Sequence, residues 1–406
     1  MPWKESCRME ERARFVLEVL EGWQSMSGLC EQYHISRPVG YKWLRRYRQE
    51  GLEGLADRSR APQRQAQATA PALVAAIVAL RQAHPHWGPR KLRARLQHLE
   101  PADAWPAAST IGAILQREGL SPRRRRRRRR VGAWPGERTA ADQPNRVWTT
   151  DFKGEFRLGE GRLCYPLTIV DGSSRYLLAC RALPSTAAAG VRATFERVFR
   201  LYGLPEVLRS DNGVPFSSLA IGGLSQLAVW WLRLGIRLER TRPRHPEDNG
   251  AHERLHRTLK AEATRPARRT PELQQRAFDA FRRVYNDERP HEALGQRPPT
   301  SAYAPSPRAM PARVPPLSYP AHFACRRINR HGQVCWHGGL YFVSEVLARQ
   351  TVGLEPTDEG AWRVYVGTAL VGQLEEQAGI LRPYGRQLTV RQRIPKPVSD
   401  LTGRKC

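Results

Sequence analysis

The sequence predicts a multidomain chain, with all-α units at the N-terminus, a central α/β domain and a small C-terminal β-barrel. Three observations lead there. The length of 406 residues exceeds one compact domain and fits three or four. Apolar spacing is helical up to about residue 118 and changes near residue 145 to strands alternating with helices. Beyond residue 320 the pattern becomes β-alternation punctuated by glycine.

The formal net charge is +29 and the pI near 10.9. Such self-repulsion favours a polyanionic partner, and nucleic acid is the simplest one. An anionic membrane surface would also suit the charge, but no segment supports insertion. The most apolar run, Leu227 to Ile236, is interrupted by Arg233 and is too short to span a bilayer. No apolar signal-peptide core precedes residue 15. The 7 cysteines are scattered, odd in number and without CxxC spacing, so neither a disulfide framework nor a zinc site is expected. A reducing, cytoplasmic location at the nucleoid fits, with no membrane partner.

Residues 9–50 read as three helices within a first domain at 1–56. Phe15, Val16, Val19 and Leu20 stripe the first helix, and Leu29, Cys30 and Tyr33 mark the second. Ser36 is the expected N-cap of the third, with Pro38 in its first turn. That helix carries Lys42, Arg45, Arg46 and Arg48 around an apolar spine of Tyr41, Trp43, Leu44 and Tyr47. Short helix, tight turn and basic helix make a helix-turn-helix, whose last helix enters the major groove. Arg37, Lys42, Arg45 and Arg46 are its candidate DNA contacts. A plain three-helix bundle with a solvated basic face is the competing reading. Residues 57–70 form a polar linker.

A second helical unit, at 71–120, has helices at 72–83, 89–98 and 109–118, the last capped by Ser109. Arg90, Lys91, Arg93 and Arg95 crowd its middle helix. It resembles a second helix-turn-helix, with or without a wing. Arg123 to Arg130 are eight consecutive arginines inside an Arg-rich linker at 121–144, suited to phosphate backbone or to a solvated tether.

The central domain spans 145–303. Strands are expected at Val147 to Phe152, Tyr165 to Val170, Arg175 to Cys180 and Val207-Leu208, with a helix at about 188–201. A helix near 223–234, a short strand near 236–239 and a long helix from about Asn249 follow. Residues 304–320 form a Pro-rich linker. In the β-barrel at 321–395, Trp362, Val364 and Val366 alternate on one face, and Gly353, Gly360, Gly367 and Gly372 supply turns.

Three acidic residues stand out. Asp151 sits in an apolar, Thr-rich strand between Trp148 and Phe152, where a carboxylate is costly unless paired or metal-bound. Asp211, in SDNG, follows a short strand, at the kind of strand end where α/β sites assemble. Glu253 falls in the first turn of a helix that starts near Asp248. Each alone has a bland reading, since Asp-Asn-Gly is commonly just a turn and a strand Asp can pair with an arginine. As a set they suit hard divalent cations, which need carboxylate oxygens from separate elements.

The stretches NRVWTTDFKGEF, CYPLTIVDGSSRYLLAC, RSDNGVPF, RPRHPEDNGAHERLHRTLKAE and YNDERPHEALGQRPPTSAY resemble bacterial insertion-sequence transposases with a core of the retroviral-integrase superfamily. With the helical segments, the similarity covers about residues 1–305. The resemblance implies a ribonuclease-H-like integrase core and an Asp-Asp-Glu triad falling on Asp151, Asp211 and Glu253. It implies Mg²⁺ or Mn²⁺ as cofactor, two ions, bound by those three residues. The implied chemistry is hydrolysis at element ends, then attack of the freed 3′-hydroxyl on target DNA. The implied partners are both DNAs and further copies of the chain, assembled as a homo-oligomer on DNA. One departure is the 41 residues between Asp211 and Glu253, several more than in well-known members. The excess is expected in SSLAIGGLSQLAVWW, with a loop at Gly222-Gly223.

Arg257 and Lys260, four and seven residues after Glu253, share its helix face. They are candidates for holding phosphates of the DNA terminus, as equivalent positions do in that family; a surface Glu-Arg pair is the alternative. Asn249 and His252 either position DNA or cap the helix, and His291 is expected to be structural. Glu262 lies two and a half turns from Glu253, on the opposite face. Two other functions stay open: a structure-specific nuclease on the same fold, and a DNA-binding regulator or inactive transposase that binds ends without catalysis. No serine- or tyrosine-recombinase motif and no P-loop is present.

Overall fold

The structure, a computed structural model, describes residues 7–58, 69–121, 139–241, 250–358, 360–384 and the backbone of 393–394. The arginine run at 123–130, Glu247, Asp248 and Asn249 lie outside the described residues. The chain divides into two compact units, Met1–Thr69 and Ala70–Cys406.

In the first unit, α1 (Arg8–Glu21), α2 (Met26–Gln32) and α3 (Arg37–Glu50) pack around Phe15, Val16, Leu29, Cys30, Trp43, Leu44 and Leu55. Ser25 caps α2 by accepting the Gly28 N–H at 3.3 Å. Ser36 is the N-cap of α3, with Pro38 in the first turn. Gly40 lets α3 close onto its neighbours, because a Cβ there would lie 2.7 Å from Cys30 Sγ. The expected spine of α3 holds for Trp43 and Leu44, but Tyr41 faces solvent. Its place in the helical period falls off the buried face.

The second unit begins with α4 (Pro71–Ala83), α5 (Pro89–Leu99) and α6 (Ala108–Arg117), closed around Ile77, Trp87, Leu92, Leu96, Ile111 and Leu115. The N-cap of α6 is Ala107 and not Ser109. The described residues 69–121 contain no strand, so a wing is absent there. The basic helix α5 turns toward residues 288–292. Arg90 pairs with Glu292 at 3.2 Å, Arg95 with Glu288 at 3.4 Å, and Lys91 donates to the Pro290 carbonyl.

The central sheet runs β4–β3–β1–β5–β6, from β1 (Val147–Phe152), β3 (Leu163–Asp171), β4 (Leu177–Leu183), β5 (Val207–Ser210) and β6 (Arg237–Arg240). The first three strands form an antiparallel meander, while β5 and β6 run parallel to β1. A two-residue β2 (Phe156–Arg157) pairs with the start of β3. One face packs on α7 (Ala188–Tyr202) and α8 (Gln226–Arg233) through Trp148, Leu167, Phe195, Phe199, Leu208 and Trp231. The other packs on α9 (Gly250–Ala263) and α10 (Pro271–Arg283) through Val170, Leu177, Cys180, Leu255, Leu259 and Phe278. Because side chains alternate along a strand, Trp148 enters the first core, while Thr149 and Asp151 point to the α9 side.

The C-terminal strands are β7 (Ala324–Arg327), β8 (Gln333–Trp336), β9 (Gly339–Phe342), β10 (Thr351–Pro356), β11 (Trp362–Val366), β12 (Ala369–Glu375), β13 (Ile380–Pro383) and β14 (Arg393–Ile394). They form a five-stranded sheet, β13–β12–β11–β10–β7, and a three-stranded one, β14–β9–β8. Among the described residues these are two sheets that do not close into the small β-barrel expected. Val364 and Val366 are buried as their alternation requires. Gly360 and Gly367 make positive-φ turns, at 75° and 59°. Gly353 and Gly372 instead lie within strands, where a Cβ would meet Tyr319 at 2.4 Å and the Arg382 carbonyl at 2.6 Å. The Pro-rich segment is strapped to the core: Arg308 donates to the Pro205 and Gly235 carbonyls, and Arg233 to those of Val314 and Pro315.

Candidate active site

Register assembles the first two acids. In the parallel pair β1–β5, Thr150 stands opposite Ser210, so the next residues, Asp151 and Asp211, emerge side by side at the carboxyl ends of neighbouring strands. Neighbouring strands lie about 4.8 Å apart, and both acids share one face. Asp211 accepts the Gly213 N–H at 3.1 Å, and a Cβ on Gly213 would sit 2.9 Å from its Oδ2. The Asp-Asn-Gly segment is therefore both a turn and a carboxylate mount. Burial pushes the Asp211 carboxyl up, against the Gly213 amide and Arg240.

The Asp151 carboxyl is pushed up to about 7, first by burial, then by the neighbouring charges of Asp211 and Glu253. Asp151 thus feels both other members of the predicted set. Glu253 lies in the first turn of α9, half-buried.

Two histidines on α9 complete the floor; the sequence reading took His252 for a DNA contact or helix cap and passed over His256. His252 is buried, with Nδ1 at 3.0 Å from Thr149 Oγ1 and Nε2 at 2.6 Å from Thr168 Oγ1. It neither caps the helix nor faces outward. His256 places Nε2 at 2.8 Å from the same Thr168 hydroxyl and Nδ1 at 3.8 Å from Asp151 Oδ2. Burial pulls the His252 imidazole well down and that of His256 to about 4, so both are neutral near pH 7. Thr168 stands opposite Asp151 in the β1–β3 register and donates to its carbonyl at 3.0 Å. The i,i+4 spacing of the two histidines on the apolar side of α9, beneath a Thr-rich strand, was the available signal. Among the described residues, Asp151, His252 and His256 are the group whose donor atoms all lie within 4.8 Å of one another.

Arg257 and Lys260 are exposed on α9, and Lys260 helps depress the ammonium of Lys153, after burial. Glu262 is held at 2.7 Å by the buried Arg289, away from the carboxylates. In the first unit, Arg37, Lys42 and Arg45 are exposed and Arg46 half-buried. Lys42 and Arg46 also lie over the Trp43 ring, at 4.5 and 5.2 Å.

Other motif residues are structural. Asp171 is buried and accepts the Asn145 and Ser174 N–H groups at 2.7 and 2.8 Å. The Asn145 carboxamide oxygen accepts Trp148 Nε1 and the Tyr303 hydroxyl, and its nitrogen donates to the Ala304 carbonyl. The first and last core motifs are thereby tied behind the site.

Known proteins are similar to much of this chain. Profiles described as Integrase core domain match residues 141–246 and 234–299. Profiles described as Helix-turn-helix domain and Homeodomain-like domain match residues 11–63 and 39–115. An uncharacterized protein of insertion element IS476 from Xanthomonas euvesicatoria is 28% identical over 271 residues, 66% of this chain and 70% of its own. One of insertion element IS407 from Burkholderia multivorans is 28% identical over 229 residues, 56% of this chain and 79% of its own. The Gag-Pol polyprotein of Koala retrovirus is 32% identical over 138 residues, 34% of this chain; the match spans 8% of the polyprotein. The HTLV-2 integrase catalytic core domain, solved in complex with magnesium, is 15% identical and covers 40% of this chain and 98% of its own, with TM-score 0.33. The chain thus carries an integrase core domain preceded by helix-turn-helix domains. Among bacterial proteins, it is similar to those of insertion elements IS476 and IS407.

Proposed function

We propose that the chain cleaves DNA at the ends of its element and joins the freed ends to target DNA, with Asp151, Asp211 and Glu253 as the catalytic set. The observation that carries this reading is the Thr150–Ser210 register, with Glu253 near enough to raise the Asp151 carboxyl. Three oxygen-donor carboxylates, with Asp151 partly buried and raised by that burial and then by the other two, suit hard divalent cations, two Mg²⁺ or Mn²⁺. Held by these residues, such ions would supply charge stabilisation for an in-line phosphoryl transfer. His252 and His256, neutral and tied to Thr149 and Thr168, fix the floor on which Asp151 rests. Arg257 and Lys260 hold phosphates of the DNA terminus, and α3, with Arg37, Lys42, Arg45 and Arg46, reads the end sequence.

In cleavage, a water oxygen bonds to phosphorus and the 3′-oxygen leaves, taking up the proton that water loses. In joining, that hydroxyl oxygen bonds to a target phosphorus and displaces the target's 3′-oxygen, which is protonated in turn. Joining two ends calls for two protomers, so a homo-oligomer on DNA at the nucleoid is the working form.

The test is nicking and strand transfer on a plasmid carrying the gene with its flanking DNA, with Mg²⁺ added. Asp151→Asn, Asp211→Asn and Glu253→Gln each bring both reactions to background while duplex binding stays near wild type. Parallel loss of binding would point to misfolding, and full activity in any of the three would remove that residue from the set. A second arrangement has one observation in its favour, the close donor atoms of Asp151, His252 and His256. An ion held there makes Asp211 dispensable and His256 essential, so cleavage by Asp211→Asn but not by His256→Gln would favour it.

A further inference from the structure

A cavity of about 600 Å³ opens between the second helical unit and the α9 side of the core. Its walls come from separate parts of the chain: Lys91 from α5, Arg175 from the β3–β4 turn, Arg254 and Arg257 from α9, and Tyr285 and His291 from the segment after α10. The charge is one-sided. The acid on its wall, Glu292, pairs with Arg90, and the remaining arginine, Arg289, is neutralised by Glu262. Arg175, Arg254 and Arg257 form no ion pair among the described residues, and Lys91 meets only a carbonyl. Arg175 is held there at φ 63°, a left-handed conformation costly for a side-chain-bearing residue. The described lining includes no carboxamide, the side chain that reads adenine edges.

We propose that this cavity is a phosphodiester-binding site, filled by the backbone of one DNA strand passing from the second helical unit toward α9. The proposal rests on the reading of the chain as an enzyme acting on DNA, and adds a contact that the triad and α3 do not include. Four cations from three separate elements, outnumbering the one acid on the wall, which already pairs with Arg90, form an anion site. Since Arg90, Lys91 and Arg95 of α5 are turned to the core, where Lys91 enters this wall, they are not presented to a groove of DNA. Arg257 also shares a helix face with Glu253, so a strand bound here is led toward the carboxylates. The site therefore helps set the distance between the sequence that is bound and the bond that is cut. The Lys91 ammonium, pulled down to about 8 by burial and then by Arg289, is in surroundings that an anion would relieve.

The test uses the full chain and a mixed-sequence DNA duplex, because binding to phosphates does not depend on sequence. Kd is measured over a range of salt for the wild type, for Arg175→Gln/Arg254→Gln, and for Arg197→Gln/Arg200→Gln, which removes equal charge from the exposed side of α7. The slope of log K against log salt is expected to fall by about 0.9 for each phosphate that the first variant no longer neutralises, and to stay at wild type in the second. Arg175→Lys/Arg254→Lys should restore most of the slope, and matching thermal melts establish that each variant is folded. Equal slopes for the cavity and α7 variants overturn the proposal. Inorganic phosphate is titrated alongside: phosphate binding abolished in the cavity variant with the duplex slope unchanged assigns the cavity to a free anion and also overturns it. A wild type that nicks no DNA but shows the expected slope difference defeats the catalytic reading alone, while failure to bind duplex at all defeats both.

Discussion

At the scale of single residues, buried titratable groups report on how the site is built. His291 packs edge-on against Tyr285 at 4.7 Å, and its Nε2 is buried without a hydrogen-bond partner. Burial, then Lys91 and Arg289, pull its imidazole from the ordinary 6.5 down to about 3. The unfolded chain therefore binds a proton between those values and the folded chain does not. Stability from this group is complete above about pH 6.5 and is lost as pH falls toward 3. His291→Phe, which keeps a ring against Tyr285 and cannot take up a proton, should flatten that acid limb. Denaturant melts from pH 7 to 4, without DNA or metal, measure it. An acid limb as steep in the variant as in the wild type would mean that His291 is protonated in the folded chain. The sequence marks His291 as structural but does not identify all the cations around it, since Lys91 and Arg175 come from distant segments.

At the scale of elements, α9 does two jobs on opposite sides. Its start carries Glu253 and the two histidines; its last turn carries Glu262, which ties the helix to Arg289. Because Arg289 is only 7% exposed, removing its partner strands a buried guanidinium. Glu262→Gln should cost about 3 kcal/mol of stability, read from the denaturation midpoint. Cleavage per folded molecule should persist, because Glu262 lies about 13 Å along the axis from Glu253. Loss of cleavage with no loss of stability would instead place Glu262 among the working acids. The long segment between Asp211 and Glu253 also acquires a role. Gly222 and Gly223 take φ of 62° and 68°, and Gly222 lies against Val371 of β12. Arg240 closes the loop by donating to the Phe216 and Gly223 carbonyls at 3.1 and 3.0 Å. The loop expected there is a docking platform for the C-terminal sheets.

At the scale of the second unit, two cores share one helix. Leu227, Trp230 and Trp231 of α8 enter the catalytic core, whereas Ala228, Val229 and Leu232 enter the core of the C-terminal sheets. A helix apolar all round is buried all round, which is why the run at 227–232 reads as unusually hydrophobic without being long enough for a bilayer. Among the described residues no helix is long and apolar enough to cross a membrane. Deleting residues 321–406 should expose Val229 and Leu232 and remove the core they support. Exposing each such side chain costs on the order of 2 kcal/mol. The shortened protein should lose its cooperative melt and bind a hydrophobic dye at temperatures where the full chain does not. A melt indistinguishable from that of the full chain would make the C-terminal sheets an independent appendage.

Helix positions in both N-terminal units, the candidate acids as proposed, and the switch from helical to strand periodicity could be read from the sequence. Each depends on neighbours a few residues away, such as the stripe of Phe15 and Val16 or the turn after Val207-Leu208. Tertiary structure alone decided that Asp151 stands beside Asp211, since that follows from the pairing of strands about sixty residues apart. It likewise decided that His252 and His256 lie beneath Asp151, that α5 turns its cations toward the core, and that the described C-terminal strands form two sheets. The physical reason is range. Periodicity and capping act over one or two turns, whereas docking is settled by burial and charge pairing between segments whose separation along the chain leaves no local trace.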